Sequence, residues 1–99
     1  MAALPADPAE QLKAEKSLLL KAERDIEDGR KRLRSQQQLL ADLRAAGRDS
    51  KQAARLVQLL RQTLIEWERH RALIEERVSY LERQSRAAQA GIAHLRSLL

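Results

Sequence analysis

Apolar residues recur at alternating spacings of three and four residues from Val57 to the C-terminal end of the sequence. The row consists of Val57, Leu60, Leu64, Trp67, Arg71, Ile74, Val78, Leu81, Ser85, Ala88, Ile92, Leu95 and Leu99. Only Arg71 and Ser85 in this row are polar. A stripe with this period on one long helix matches the surface of another helix, so it predicts a coiled coil. Such an architecture leaves little room for a reaction centre.

A second heptad row lies in the first half of the chain. Its main positions are Leu12, Leu19, Ile26, Leu33 and Leu40, and its weaker companion positions are Glu15, Ala22, Gly29, Gln36 and Leu43. Three further leucines, Leu18, Leu20 and Leu39, widen the apolar face beyond two positions per heptad. This breadth is typical of a helix that contacts more than one neighbour.

Capping residues set the limits of the two predicted helices. Asp7, Pro8 and Glu10 have the spacing of an N-cap, a first-turn proline and a capping-box acid. Helix 1 is therefore predicted over residues 8–46, after a disordered lead of residues 1–7. Gly47 ends it, because glycine readily adopts the left-handed conformation found just past a helix.

The connection between the helices is predicted to be the tight turn 47–49. Asp49 is the expected cap of helix 2, over residues 50–99, and Ser50 is the alternative cap. So short a connection favours two antiparallel helices. The sequence therefore predicts an all-α antiparallel hairpin that dimerises into a four-helix bundle.

The position of the turn predicts which residues lie level with one another. Residues whose numbers sum to about 97 should be neighbours, which brings Trp67 beside Gly29 near the level of Arg30. A large ring against a residue without a side chain is a good packing complement. Arg71 is expected to pair with Glu23 or Glu27, as a polar seam residue that fixes register.

The expected function is that of a non-enzymatic helical association or oligomerisation module, or of an adaptor or regulator, that binds through its coiled-coil seam faces. A single thin seam has to offset about 1–2 kcal/mol of ordering cost per residue, and oligomerisation is the usual remedy at this size. The expected partner is a second copy or another helical protein. The expected interface residues are Leu64, Trp67, Arg71, Ile74, Val78, Leu81, Ala88, Ile92 and Leu95.

Charge is unevenly distributed, although the net charge is only +5. Residues 1–28 hold four basic and seven acidic residues, residues 29–61 hold nine and two, and residues 62–99 hold six and five. An antiparallel, head-to-tail dimer would bring the acidic end of one copy to the basic turn half of the other. The alternative is nucleic-acid binding by the basic half. Its candidate contacts are Arg30, Lys31, Arg32, Arg34, Arg44, Arg48, Lys51 and Arg55.

Motifs for catalysis, cofactors or metals are weak in this sequence. Glu66 and His70 share a helix face, but no second histidine lies nearby to complete a metal site. Glu75, Glu76 and Glu82 are interleaved with arginines, which favours surface ion pairs over acid–base chemistry. We therefore expect no enzyme activity, no cofactor and no metal.

Location and membrane association follow from composition. There is no cysteine, so disulfides and thiol catalysis are excluded. No apolar run approaches the ~20 residues that span a bilayer, and the first residues lack the basic start and apolar core of a secretion signal. The expected location is the cytoplasm.

Residues 22–83 resemble a group of small uncharacterised bacterial proteins built as helical hairpins. The shared residues are Ile26, Gly29, Gln37, Leu40, Leu43, the turn Ala46-Gly47-Arg48-Asp49, Leu59, Leu60, Leu64, His70, Arg71 and Ile74. The resemblance implies the hairpin fold and no particular activity. Residues 84–99 are less typical of the group.

Overall fold

A computed structural model describes residues 7–99 of the chain. It contains two helices, α1 (Pro8–Ala45) and α2 (Lys51–Leu98), and no strand within the described residues. The predicted all-α helical hairpin is confirmed. Residues 1–6 of the expected disordered lead lie outside the described residues, and Asp7 belongs to the start of α1.

The start of α1 is capped as the sequence predicts. Oδ1 of Asp7 accepts a hydrogen bond from the Glu10 amide at 3.0 Å. The Asp7 carbonyl oxygen accepts the first bond of the helix, from the Gln11 amide. These two bonds identify Asp7 as the N-cap, and Pro8 occupies the first helical position, where a missing N–H costs nothing.

The end of α1 forms a Schellman motif around Gly47. Gly47 has φ of 66°, in the left-handed region that favours glycine. The Arg48 amide donates to the Leu43 carbonyl at 2.9 Å, and the Gly47 amide donates to the Arg44 carbonyl at 3.1 Å. Two carbonyls at the end of the helix are thereby satisfied, which explains why the helix ends at Gly47.

The start of α2 differs from the preferred expectation by one residue. The Ser50 carbonyl accepts the first helical bond, from the Ala54 amide, so Ser50 occupies the cap position that the sequence analysis gave to Asp49. Asp49 still contributes, because its Oδ1 accepts a hydrogen bond from the Lys51 amide at 3.1 Å. Ser50, the alternative cap, is therefore the residue at the cap position, and the Asp49 side chain satisfies one amide of the first turn.

The described chain divides into two compact units, each containing parts of both helices. The turn unit is Lys21–Arg71, and the end unit joins Ala72–Leu99 to the segment that finishes at Leu20. Within the turn unit, a core cluster forms near the reversal. Its buried members are Leu40, Ala53 and Val57, against which Leu33, Leu43 and Ala54 pack.

Both predicted rows of α1 face inward. Ile26, Gly29 and Leu40 are buried, and the other members of the main and companion rows are half-buried. In α2 the buried apolar residues are Ala53, Val57, Leu64, Ile74, Val78 and Leu81. Each fully buried Leu, Ile or Val side chain contributes roughly 1.5–3 kcal/mol relative to exposure, so these rows stabilise the hairpin.

The predicted neighbourhood of Gly29 and Trp67 is confirmed. A Cβ atom added at Gly29 would lie 3.2 Å from Cζ3 of Trp67 and 2.8 Å from Cδ2 of Leu64. The glycine therefore leaves the space that these two side chains fill. Arg71 is half-buried in its seam position, and its pairing with Glu23 or Glu27 stays a prediction.

Candidate association surfaces

The nine residues expected at an interface fall into two groups. Leu64, Ile74, Val78 and Leu81 are buried within the described chain, and Ile74 is only 1% exposed. The hairpin itself accounts for their burial. Trp67, Ala88, Ile92 and Leu95 are exposed, and Arg71 is half-buried. The four exposed residues are therefore the ones that can contact another chain without opening the hairpin.

The last three turns of α2, together with Leu99, form an apolar tail, which we define as residues 88–99. Ile92 is 52% exposed and Leu95 is 62% exposed, although both continue the row that is buried at Ile74, Val78 and Leu81. Leu98 and Leu99 are also exposed. The backbone stays helical to Leu98. A regular helix thus presents a row of large apolar side chains to solvent, which is typical of an interaction surface.

The turn unit has one polar edge. There Nη2 of Arg30 donates to Oε1 of Glu68 at 3.0 Å, linking α1 to α2. A groove of about 600 Å³ lies along the same side of the seam, and half of the residues that line it are polar: Gln37, Arg44, Gln58 and Arg61. Ion pairs that are exposed to this degree add at most about 1 kcal/mol to the free energy of unfolding. The charged side chains along this edge remain in contact with solvent.

The opposite edge of the turn unit carries a second groove whose exposed lining surface is mostly apolar, and we call it the apolar groove. It encloses about 380 Å³ and is lined by Lys31, Arg32, Ser35, Gln36, Leu56 and Leu60. Leu56 and Leu59 are exposed, the latter by 53%.

Heptad spacing extends the apolar groove along both helices. Leu39 is exposed and follows Arg32 by seven residues, so it shares the side of α1 that lines the groove. Trp67 follows Leu60 by seven residues; the residue is 39% exposed, and its ring lies next to Gly29. This edge therefore combines exposed apolar side chains with two basic residues.

The sequence signalled part of this surface through Leu39, the one of the three leucines widening the face of helix 1 that lies in the turn unit. Leu18, Leu20 and Leu39 are all exposed. The matching residues of α2, Leu56 and Leu59, were missed as surface residues, because they stand beside the strong seam positions Val57 and Leu60. Their spacing of three was the available signal.

The basic residues expected to contact nucleic acid differ in their surroundings. Arg30 is paired with Glu68, and Nη2 of Arg34 lies 4.0 Å from Oε1 of Glu27. The remaining candidates are exposed: Lys31, Arg32, Arg44, Arg48, Lys51 and Arg55. Only Lys31 and Arg32 line the apolar groove, and Arg44 lines the polar one.

The acidic residues considered for chemistry are engaged elsewhere or exposed. Nη1 of Arg69 donates to Oε1 of Glu66 at 2.9 Å, so the carboxylate next to His70 forms a local ion pair. Glu75 and Glu76 are exposed, and Glu82 is half-buried. In the part of the chain that the structure describes, no three His, Asp or Glu side chains are grouped so that they could hold a metal ion.

The end unit contains an ion pair that the sequence analysis missed. Nε of Arg77 donates to Oε2 of Glu15 at 3.1 Å, next to a groove of about 450 Å³ that includes Tyr80 and Leu81. Glu15 occupies the companion row of α1, where its half-buried carboxylate needs a cationic partner. The position of Glu15 in the seam row could have predicted this pair, because an acidic residue there needs a basic partner on the other helix.

Neither described helix has a stretch long and apolar enough to cross a membrane. Comparisons with protein-family models, curated proteins and solved structures found no match.

Proposed function

We propose that this chain is a non-enzymatic helical association module that forms a homodimer in the cytoplasm through coiled-coil contacts. The observation that carries the proposal is the exposure of Ile92 and Leu95. Both occupy heptad positions that are buried at Ile74, Val78 and Leu81 of the same helix. Burying such side chains against a second helix would contribute roughly 1.5–3 kcal/mol each before the cost of association.

A chain of this kind would serve as an adaptor or regulator, because its interactions are made by helix surfaces. The apolar groove and the apolar tail each offer large side chains at helical spacing. Helix-in-groove recognition uses such anchors at intervals of three, four and seven residues.

The test of dimerisation is the molar mass in solution as a function of concentration. Sedimentation equilibrium should be recorded for the full chain and for a chain that lacks residues 88–99. We expect a concentration-dependent shift from monomer to dimer for the full chain, and weaker association without the tail. The shortened chain should keep its helical circular dichroism, since the buried residues of the described core end at Leu81. A full chain that stays monomeric and well folded up to millimolar concentration would contradict the proposal.

Nucleic-acid binding is the second candidate. The observation in its favour is the set of exposed basic residues between Lys31 and Arg55, in a segment where basic residues outnumber acidic ones by nine to two over residues 29–61. Binding of a fluorescent duplex should be titrated at rising salt. If several phosphates are contacted, the logarithm of the binding constant falls steeply and linearly with the logarithm of salt concentration. Binding that is absent at low salt would reject this candidate.

A further inference from the structure

We propose that the groove of the turn unit lined by Gln37, Arg44, Gln58 and Arg61, which we call the polar groove, binds phosphate groups of a nucleic-acid backbone. This inference rests on the second candidate function above. It specifies which residues contact the nucleic acid and which part of the nucleic acid they contact. It adds Arg61 and two glutamines to the basic residues selected from the sequence, and it leaves out those of the apolar groove.

The first argument is that the polar groove carries two positive charges and no negative one. Arg44 belongs to α1 and Arg61 to α2, so the two guanidinium groups come from opposite walls. No aspartate or glutamate is among the described residues that line the groove. Both arginines are exposed, and within residues 7–99 neither side chain has a hydrogen bond or an ion pair. An anion can therefore reach both cations without displacing a carboxylate.

Two other arginines of the turn unit show the difference. Nη2 of Arg30 lies 3.0 Å from Oε1 of Glu68, and Nη2 of Arg34 lies 4.0 Å from Oε1 of Glu27. A phosphate would have to compete with these carboxylates for the guanidinium groups. The cations of the polar groove have no such competitor, which makes them the better phosphate ligands.

The second argument is that two amide side chains stand beside these cations. Gln37 precedes Arg44 by seven residues and Gln58 precedes Arg61 by three, so each amide shares a helix side with an arginine. A glutamine amide carries two N–H donors, and glutamine is among the residues that donate to phosphate oxygens in protein–DNA complexes. In the described chain neither amide side chain has a hydrogen bond. These donors are available to a phosphate.

The third argument concerns the remaining lining of the groove. Ala41 and Ala54 are small and leave a volume of about 600 Å³. Leu40 and Val57 also line it but are buried, with 9% and 4% exposure. A partner helix would need large apolar anchors, and the lining exposes none. A phosphate backbone is bound without such anchors, so the polar groove favours a nucleic acid over an acidic helix of another protein.

Lys51 extends the positive charge along α2. It is exposed and precedes Gln58 by seven residues, so it shares the side of α2 that lines the groove. The interval from Lys51 to Arg61 covers about 15 Å, because each helical residue rises about 1.5 Å. Phosphates of one DNA strand follow one another at about 3.4 Å along the duplex axis. A strand that follows the groove therefore brings several phosphates past these cations.

The test is the salt dependence of binding to a short fluorescent DNA duplex, measured by anisotropy for the full chain, Arg44→Gln and Arg61→Gln. Each change removes one phosphate contact. The slope of the logarithm of the binding constant against the logarithm of salt concentration should therefore decrease by about 0.9 per bound chain, equally for duplexes of unrelated sequence. The matched control Arg32→Gln removes the same charge from the apolar groove and should change the slope by less than about 0.3.

Gln58→Leu separates hydrogen bonding from general electrostatic attraction. This change keeps every charge and removes the amide donors. We expect the affinity to fall about threefold to tenfold with an unchanged salt slope, as for the loss of one hydrogen bond. An unchanged affinity would show that the amide does not contact the backbone and would overturn its place in the site.

A second measurement needs no substitution and stays informative if a variant folds poorly. Nuclear magnetic resonance of the unchanged chain resolves side-chain amides. Addition of the duplex should shift the signals of Gln37 and Gln58 more than that of Gln36, which lines the apolar groove. Shifts confined to Gln36 would place the duplex on the other edge and overturn the proposal.

The outcomes separate this inference from the candidate function on which it rests. A duplex that binds both arginine variants with the slope of the full chain overturns the polar groove as the site and leaves nucleic-acid binding in place. Absence of binding at low salt overturns both. A polyglutamate chain that binds more tightly than the duplex at equal ionic strength would identify carboxylates as the ligand and overturn the assignment to phosphate. Reduced slopes for Arg44→Gln and Arg61→Gln, with Arg32→Gln unchanged, support both.

Discussion

Two stretches of α2 carry the same heptad row and have opposite surroundings. From Val57 to Leu81 the row is largely buried, with Ile74 at 1% exposure. From Ala88 to Leu99 it is exposed, although the helix continues to Leu98. The repeat therefore determines which face of a helix is apolar, but it does not determine how much of that face is covered.

The comparison also separates stability from association. Buried members of the row stabilise the hairpin, whereas exposed members are available to another chain. Substitutions in the two stretches should consequently affect different measurements, even when the residue type and heptad position are alike.

The largest difference is expected between Ile74→Ala and Ile92→Ala. Removing the buried side chain of Ile74 leaves a cavity and should lower the free energy of unfolding by about 2–5 kcal/mol. The same change at the exposed Ile92 should alter it by no more than about 0.5 kcal/mol at concentrations where the chain is monomeric. Urea unfolding of both variants measures the difference. Equal losses would mean that the two stretches are packed alike.

A leucine at Gly29 should cost less than the cavity at Ile74 but remain clearly destabilising. Its side chain would collide with Leu64 and Trp67, and overpacking of this kind costs about 1–3 kcal/mol against a helix-propensity gain of up to about 1 kcal/mol. Gly91→Leu is the matched control, because nothing lies within 4 Å of a Cβ there. Thermal unfolding should show a lower midpoint for Gly29→Leu and an unchanged or higher one for Gly91→Leu. A stabilised Gly29→Leu variant would show that the predicted close packing is absent.

Gly47→Ala and Gly91→Ala are expected to have opposite signs. Gly47 has positive φ, so alanine there should lower the free energy of unfolding by about 1 kcal/mol. Gly91 lies inside a helix, where alanine should increase helix content and contribute up to about 1 kcal/mol of local stability. Chemical denaturation followed by circular dichroism tests both changes. A neutral Gly47→Ala variant would contradict the described end of α1.

The smallest expected effect is that of Arg30→Gln. Arg30 and Glu68 join α1 to α2 across a half-exposed edge, and such pairs contribute about 0.2–1 kcal/mol, less at high salt. Arg86→Gln in the exposed part of α2 should have no measurable effect. Comparing the two variants at low and high salt by urea unfolding resolves the contribution. A loss above about 2 kcal/mol for Arg30→Gln would require the ion pair to be buried.

Much of the fold could be predicted from spacing and capping residues. Asp7 and Gly47 are local signals, since their hydrogen bonds and backbone angles involve nearby residues. The contact of Trp67 with Gly29 followed from the position of the turn. The choice between Asp49 and Ser50 as the cap of α2 depends on which carbonyl accepts the first helical hydrogen bond, and the residue types alone do not decide this.

Ion pairs between the two helices were harder to predict. The pairs Arg30–Glu68 and Arg77–Glu15 depend on long side chains and on the axial offset of the helices, where one residue corresponds to about 1.5 Å. Sequence spacing located Arg71 in the seam but missed both of these pairs. The candidate surfaces were only partly anticipated, because a heptad pattern identifies an apolar face without showing which of its residues a neighbouring helix covers.

Hydrogen exchange of the full chain at two concentrations tests the central claim most directly. Amides of residues 57–81 should be protected at low and high concentration, since the hairpin covers that stretch. Amides of residues 88–98 should exchange quickly when the chain is monomeric and become protected as dimers form. Fast exchange of residues 88–98 at every concentration, or full protection in the monomer, would contradict the view that the exposed continuation of the seam is the part left for a second chain.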